Sequence, residues 1–96
     1  KILVRPEAEL DILEAAKWYE KKFDGLGEKF LVSLDSALNS IQQNPEAFPK
    51  VFKEIRRILL KKFPFGLFYL IDKDRIIVFA VFHASRNPNQ WKERAR

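Results

Sequence analysis

Residues 65–71 (Phe-Gly-Leu-Phe-Tyr-Leu-Ile) and 76–82 (Ile-Ile-Val-Phe-Ala-Val-Phe) are apolar at odd and even positions alike, and this constrains the fold more than any other feature of the chain. Successive side chains of a strand point to opposite faces of its sheet, so a strand apolar on both faces has to be covered on both. Asp72-Lys73-Asp74-Arg75 is a polar turn between the two runs, which predicts a hairpin. Two covers are therefore needed, one for each face: the helices can supply one, and the other has to come from the C-terminal segment, a partner, or both.

The first half supplies one of them. Leu3 and Val4 form a short apolar run that stops at Arg5-Pro6, read as a first strand. Pro6 suits a first helical turn, and Glu7 and Glu9 favour the positive end of the helix dipole. Ala8, Ile12, Ala15, Tyr19 and Phe23 then recur at helical spacing, predicting an amphipathic helix over 6–23. Trp18 borders that stripe, with Asp11, Glu14 and Lys22 on its polar side. It is expected to pack on the next helix, the alternative being an exposed interface anchor. Asp24-Gly25-Leu26-Gly27 breaks the helix. Leu26, Phe30, Leu34, Ala37, Leu38 and Ile41 mark a second one, with Glu28, Lys29, Asp35 and Gln42 facing water. Asn44-Pro45 ends it, because a residue before proline is pushed out of helical geometry. Two helices joined by a tight glycine turn predict an antiparallel helical hairpin over one face of the sheet. Ile55 to Leu60 reads as a further strand. Asn87 can cap a short helix from Pro88 to Arg96 that carries Trp91 inward and covers the second face. The order is β-α-α-β-β-β-α: an α+β fold with an antiparallel sheet packed against a helical hairpin, as one domain over residues 1–96.

Composition narrows the function classes. Hydrophobic residues make up 47% of the 96, enough for a single core. There is no cysteine, hence no disulfide and no thiolate metal site. One histidine with scattered carboxylates makes no metal-ligand pattern, and no cofactor motif is present. No run approaches the roughly 20 apolar residues of a membrane span. Lys1-Ile2-Leu3-Val4-Arg5 is too charged for a signal peptide, so a soluble cytoplasmic protein is expected. Charge is split unevenly. Residues 1–48 carry six Lys/Arg against nine Asp/Glu, a balance of −3, and residues 49–96 carry twelve against four, a balance of +8. The second half should attract something anionic: nucleic acid, an acidic protein segment, or both.

Several strings together resemble the RelE/ParE toxin superfamily. They are Pro6-Glu7-Ala8 with Trp18-Tyr19-Glu20, then Gly25-Leu26-Gly27 with Phe30-Leu31, then Asn44-Pro45-Glu46-Ala47-Phe48-Pro49. The closing run is the most specific: Tyr69-Leu70-Ile71-Asp72, Ile77 to His83, Arg86-Asn87-Pro88 and Trp91. The resemblance spans essentially the whole chain. It implies the RelE/ParE toxin-like fold and the toxin half of a type II toxin–antitoxin (plasmid stabilization) system. A cognate ParD-like antitoxin would hold it inactive, with operator DNA met only through the antitoxin complex. RelE-like members cut mRNA in the ribosomal A site, whereas ParE-like members poison DNA gyrase.

The residues favour the ParE-like branch. Cutting RNA without a metal needs a group to activate the 2′-hydroxyl, one to stabilise the phosphate charge and one to protonate the leaving oxygen. RelE-like nucleases supply these with Lys and Arg on the central strands and a late Tyr or His. Here the phosphate-binding Arg of the Tyr-Arg-Leu-x-Tyr type motif falls on Gly66, and the late Tyr position falls at or beside Trp91, which cannot transfer a proton in this way. Arg57, His83 and Arg86 remain as candidate catalytic groups, an incomplete set, so a gyrase inhibitor acting by contact and not an enzyme is expected. The alternatives are a ribosome-dependent endoribonuclease and an inactive homologue that works only in an antitoxin/operator complex. Lys50, Lys53, Arg56, Arg57, Lys61 and Lys62 form a basic block, which with Arg86 is the expected contact surface for partner or nucleic acid. The bland reading of the block is a solvated edge strand whose charges block aggregation. For His83 the bland reading, a strand-end histidine bonded to backbone, is the expected one. Arg86 serves equally to bind an anion or to tie the last helix to the sheet.

Overall fold

The computed structural model describes residues 1–95. Its elements are β1 (Ile2–Val4), α1 (Pro6–Lys22), α2 (Leu26–Gln43), a 3-10 turn (Pro45–Ala47), β2 (Lys50–Phe52), β3 (Ile55–Leu59), β4 (Phe65–Asp72), β5 (Arg75–His83) and α3 (Pro88–Arg94). The strands form one sheet in the order β1-β5-β4-β3-β2. Pairing is antiparallel from β5 through to β2, and β1 joins the outer edge of β5 in parallel. Asn87 caps α3 as expected, its side chain accepting the Asn89 amide at 3.0 Å. The expected helix end at Arg96 lies outside the described residues. β2 was not foreseen. It has three residues and a register shift between Lys50 and Phe52, which leaves no periodicity to read.

Each face of the sheet has its own cover. On one, Ala8, Ala15 and Ala16 of α1 and Phe30, Leu34, Ala37 and Ile41 of α2 pack on Leu67, Tyr69, Ile76, Val78 and Val81. The helices cross closely at Gly27, where an added Cβ would stand 2.6 Å from the Ala16 carbonyl oxygen. Glu20 fixes the turn between them, its carboxylate accepting the Gly25 and Gly27 amides at 3.0 Å. On the other face, α3 lays Trp91 on Phe68, rings stacked with centroids 4.4 Å apart, beside Ile55, Phe79, Ala80 and Phe82. Burying one indole of this size stabilises by on the order of 4–6 kcal/mol. The chain thus supplies both covers itself.

Three expectations for α1 do not hold. Trp18 is not buried against α2. It is 55% exposed, edge-on to Tyr19, with the Lys22 ammonium 4.7 Å from its ring centroid. Phe23 leaves the apolar stripe because the backbone turns extended at that residue, and its side chain is 70% exposed. Asp11, read as water-facing, is 8% exposed.

One irregularity sets which side chains reach which face. Phe68 of β4 pairs with Ala80 of β5, but Tyr69 pairs with Val78, so Phe79 is an extra residue, a β-bulge. Alternation along β5 inverts there. Ile76 and Val78 face the helical hairpin, Phe79 and Ala80 both face α3, and beyond them Val81 faces the hairpin and Phe82 faces α3.

Candidate functional site

Two of the charged candidates, Arg57 and Arg86, lie on the α3 side of the sheet. Arg57 on β3 is opposite Phe68, whose ring belongs to the α3-side cluster, so Arg57 is on that face too. Its alkyl chain lies over Gly66: a Cβ on Gly66 would meet Arg57 Cδ at 3.1 Å and Cγ at 3.3 Å. The space that an arginine side chain at 66 would enter is therefore filled from the neighbouring strand. Arg57 Nε is buried there without a hydrogen-bond partner. Arg86 sits in the turn before α3, with its guanidinium carbon 4.0 Å from the Phe82 ring centroid and Nε donating to Gln90 Oε1 at 2.8 Å. It thus ties α3 to the sheet. Trp91, at the late proton-donor position, is committed to its stack on Phe68.

His83 is on the other face. Two residues beyond Val81, it pairs with Phe65, and the two rings meet edge-on at 5.3 Å on the hairpin side. Its Nδ1 accepts the Ser85 amide at 3.0 Å, which puts the ring proton on Nε2. The strand-end reading holds, and Arg57, Arg86 and His83 are not brought together. The β5 bulge is the cause, since alternation without it would turn the His83 position to the α3 side.

The basic block is dispersed as well. Lys50 pairs with Glu54 at 3.0 Å, in the open. Lys53, at the tip of the β2–β3 turn with φ +51°, places its ammonium 5.2 Å from the Phe52 ring centroid. Arg56 turns to the hairpin side and donates to the Glu46 and Phe48 carbonyls at 3.1 and 2.7 Å. Its cross-strand neighbour Tyr69 donates to the Pro45 carbonyl at 2.6 Å, so the two residues hold the segment after α2 against the sheet. Burial pushes the Tyr69 phenol above its ordinary range, with Arg56 pulling the other way. Lys61 and Lys62 stand in the β3–β4 loop beside α2.

Sequence reasoning missed the one buried ion pair among the described residues. β1 ends at Val4, leaving the outer edge of β5 bare beyond Val78. Asp11 of α1 reaches over this edge. Its Oδ2 accepts the Val81 amide at 3.0 Å, and its two oxygens take Arg94 of α3 as a fork, at 2.6 and 3.0 Å. Arg94 also donates to the Phe79 carbonyl at 3.2 Å and stacks on Phe82 at 4.6 Å. This clasp seals the bare edge and joins the covers of both faces. An aspartate one position from the apolar stripe, with arginines in the last helix, was the only available sign of it.

Among the described residues no group of His, Asp and Glu could hold a metal ion, and no helix is long and apolar enough to cross a membrane.

Comparison with known proteins adds the family. The family model "ParE toxin of type II toxin-antitoxin system, parDE" matches residues 2–88. Toxin ParE2 of Mycobacterium tuberculosis is 30% identical over 90 residues, 93% of this chain and 86% of that one. Among solved structures, the chromosomal ParDE system from P. aeruginosa superposes with a TM-score of 0.64 at 13% identity, covering 86% of this chain and 94% of that one. The intact E. coli RelBE toxin–antitoxin complex gives 0.56 at 17% identity, covering 88% and 96%. With its fold shared by both toxin branches and its sequence matched along nearly all its length, this chain belongs to the ParE toxin family of type II toxin–antitoxin systems.

Proposed function

We propose that this toxin arrests growth by protein contact with DNA gyrase, and that a cognate ParD-like antitoxin, encoded beside it, holds it in check. The observation that carries the reading is the dispersal of the groups RNA cleavage would need. His83 is on the face opposite Arg57 and Arg86, Arg57 fills the space over Gly66, and Trp91 is locked in a stack. General acid–base catalysis needs its groups within hydrogen-bond reach of one reacting centre. A surface that works by contact needs no such convergence. The antitoxin follows from the family, whose ParDE and RelBE relatives are toxin–antitoxin assemblies.

The test is a gyrase supercoiling assay with the purified chain titrated in. Inhibition with trapped, cleaved DNA is expected. His83→Ala should leave it intact, because no proton transfer is involved. A second reading, ribosome-dependent mRNA cleavage, draws on Arg57, whose buried Nε has no hydrogen-bond partner and which shares a face with Arg86. Message cut on purified ribosomes, lost in Arg57→Ala, would establish that reading and overturn the first. Failure to arrest growth when expressed alone would mark a homologue acting only in an antitoxin/operator complex.

A further inference from the structure

Helix α1 has an outer face that neither the core nor the proposed activity uses. Its buried residues are Ala8, Asp11, Ala15 and Ala16, and away from them Leu10 and Leu13 are 55% and 50% exposed. At 3.6 residues per turn these two leucines share one stripe with Glu14, Lys17 and Lys21, all exposed. The apolar part continues onto α2. The helices touch where Ala16 meets Gly27, and one turn from that contact stand Leu13 on α1 and Leu31 on α2, the latter 43% exposed. Exposed leucines gathered in this way mark an association surface, where scattered ones would need no explanation.

Charge says what the occupant is. With Asp11 committed to Arg94 and Glu20 to the turn, α1 offers Glu7, Glu9 and Glu14 in its first part and Lys17, Lys21 and Lys22 in its last. Among the described residues none of the six makes an ion pair. The helix dipole accounts for charges in the first and last turns, but not for Glu14 and Lys17 in the middle. Lys17 and Lys21, four positions apart, repel each other with no carboxylate paired to either. A partner of a single sign, such as nucleic acid, would meet like charge over half of this face. A second copy of the same helix, turned end to end, meets opposite charge along all of it, with leucines between.

We infer that two copies of this chain associate through α1, antiparallel about a two-fold axis, with Leu10, Leu13 and Leu31 in the contact and Glu14 of each copy set against Lys17 of the other. The 17 residues of α1 make a helix about 25 Å long. One helix pair of that length covers less than a standard interface, so the dimer is weak and reversible. The contact uses the hairpin side alone and leaves the α3 side of both copies open.

Sedimentation equilibrium of the purified full chain, from micromolar to millimolar concentration, tests this. A monomer–dimer equilibrium is expected. In a two-fold contact each substitution acts twice, so Leu10→Glu and Glu14→Lys should each raise the dimer Kd at least about tenfold. Both positions are exposed, so melting curves of the dilute protein should not change. Combining Glu14→Lys with Lys17→Glu should restore the dimer, because the exchanged charges are complementary again. The inference is overturned if the chain stays monomeric across the range, if a dimer forms but ignores both single variants, or if the charge exchange fails to restore it. Assemblies that grow beyond a dimer would also overturn it, since a two-fold contact closes on itself.

Discussion

Replacing Asp11 by alanine removes three contacts together: the acceptor for the Val81 amide and both arms of the fork to Arg94. Breaking a buried pair by deleting one partner costs about 3–5 kcal/mol, mostly through the charge left behind. The Arg94 side chain keeps 24% of its surface, so it can turn partly to water, which places this loss near the low end. The Val81 amide then has to find water at the sheet edge, a cost of about 1 kcal/mol where access is possible. The sum is about 3–4 kcal/mol, a large share of the roughly 5–15 kcal/mol that holds a domain of this size. Urea unfolding should show the midpoint falling at unchanged slope. Arg94→Ala should cost about as much, about 3–5 kcal/mol, because it leaves the more deeply buried Asp11 carboxylate without its counter-charge, even though Asp11 keeps the Val81 amide. The double variant should fall short of the sum of the two by at least about 1 kcal/mol, the coupling expected of touching charges. Amide exchange at Val81 should quicken in Asp11→Ala and stay slow in Arg94→Ala. Additive losses, or an Asp11→Ala cost under about 1 kcal/mol, would refute the clasp as a source of stability.

Other perturbations follow from the same contacts. Gly27→Ala forces the two helices apart, since its Cβ would meet a backbone oxygen at 2.6 Å, and should cost about 2 kcal/mol or more by thermal melting. Trp91→Ala uncovers the α3 side and should cost about 3–5 kcal/mol with gain of a hydrophobic dye, whereas Trp18→Ala should change stability by under about 0.5 kcal/mol. Burial raises both Tyr19 and Tyr69 above the ordinary value of 10.0. The unfolded chain therefore gives up these protons at lower pH than the native one, so the stability they contribute is full below pH 10 and fades as pH rises through the native values. Ultraviolet titration should show both phenols ionising late in the native protein, and Tyr69→Phe should flatten the alkaline loss.

What the sequence disclosed and what it hid divide along physical lines. Repeating signals were legible. The two-sided apolar runs marked β4 and β5 as the middle of the sheet, and the spacing of Phe30, Leu34, Ala37 and Ile41 marked the buried side of α2. Trp91 was legible because a second face needed a cover and one large ring remained to supply it. Single events were not. The extra residue at Phe79 has no signature among neighbours that are all apolar, yet it decides that His83 and Arg86 part company. Asp11 looked solvated because helical periodicity counts only its own helix, and its partners are 70 and 83 residues away. That position 66 offers no side chain is plain in the sequence, but that Arg57 would lie across it depends on strand register, which composition does not fix.

The placement of β1 bears on how the chain is made. Among the described residues its only neighbour is β5, so the first strand has no partner until residues near 76–78 exist, and Asp11 lacks its counter-charge until Arg94 does. Helices α1 and α2 can pair early, from local contacts, but the sheet edge closes only when the last turn of α3 is available. Contacts of such sequence separation delay folding. During synthesis, the N-terminal segment waits open until β5 and α3 have emerged. Any surface that depends on the closed edge or on α3 therefore comes into being only after α3 has emerged, and a nascent copy short of it has none of it to offer.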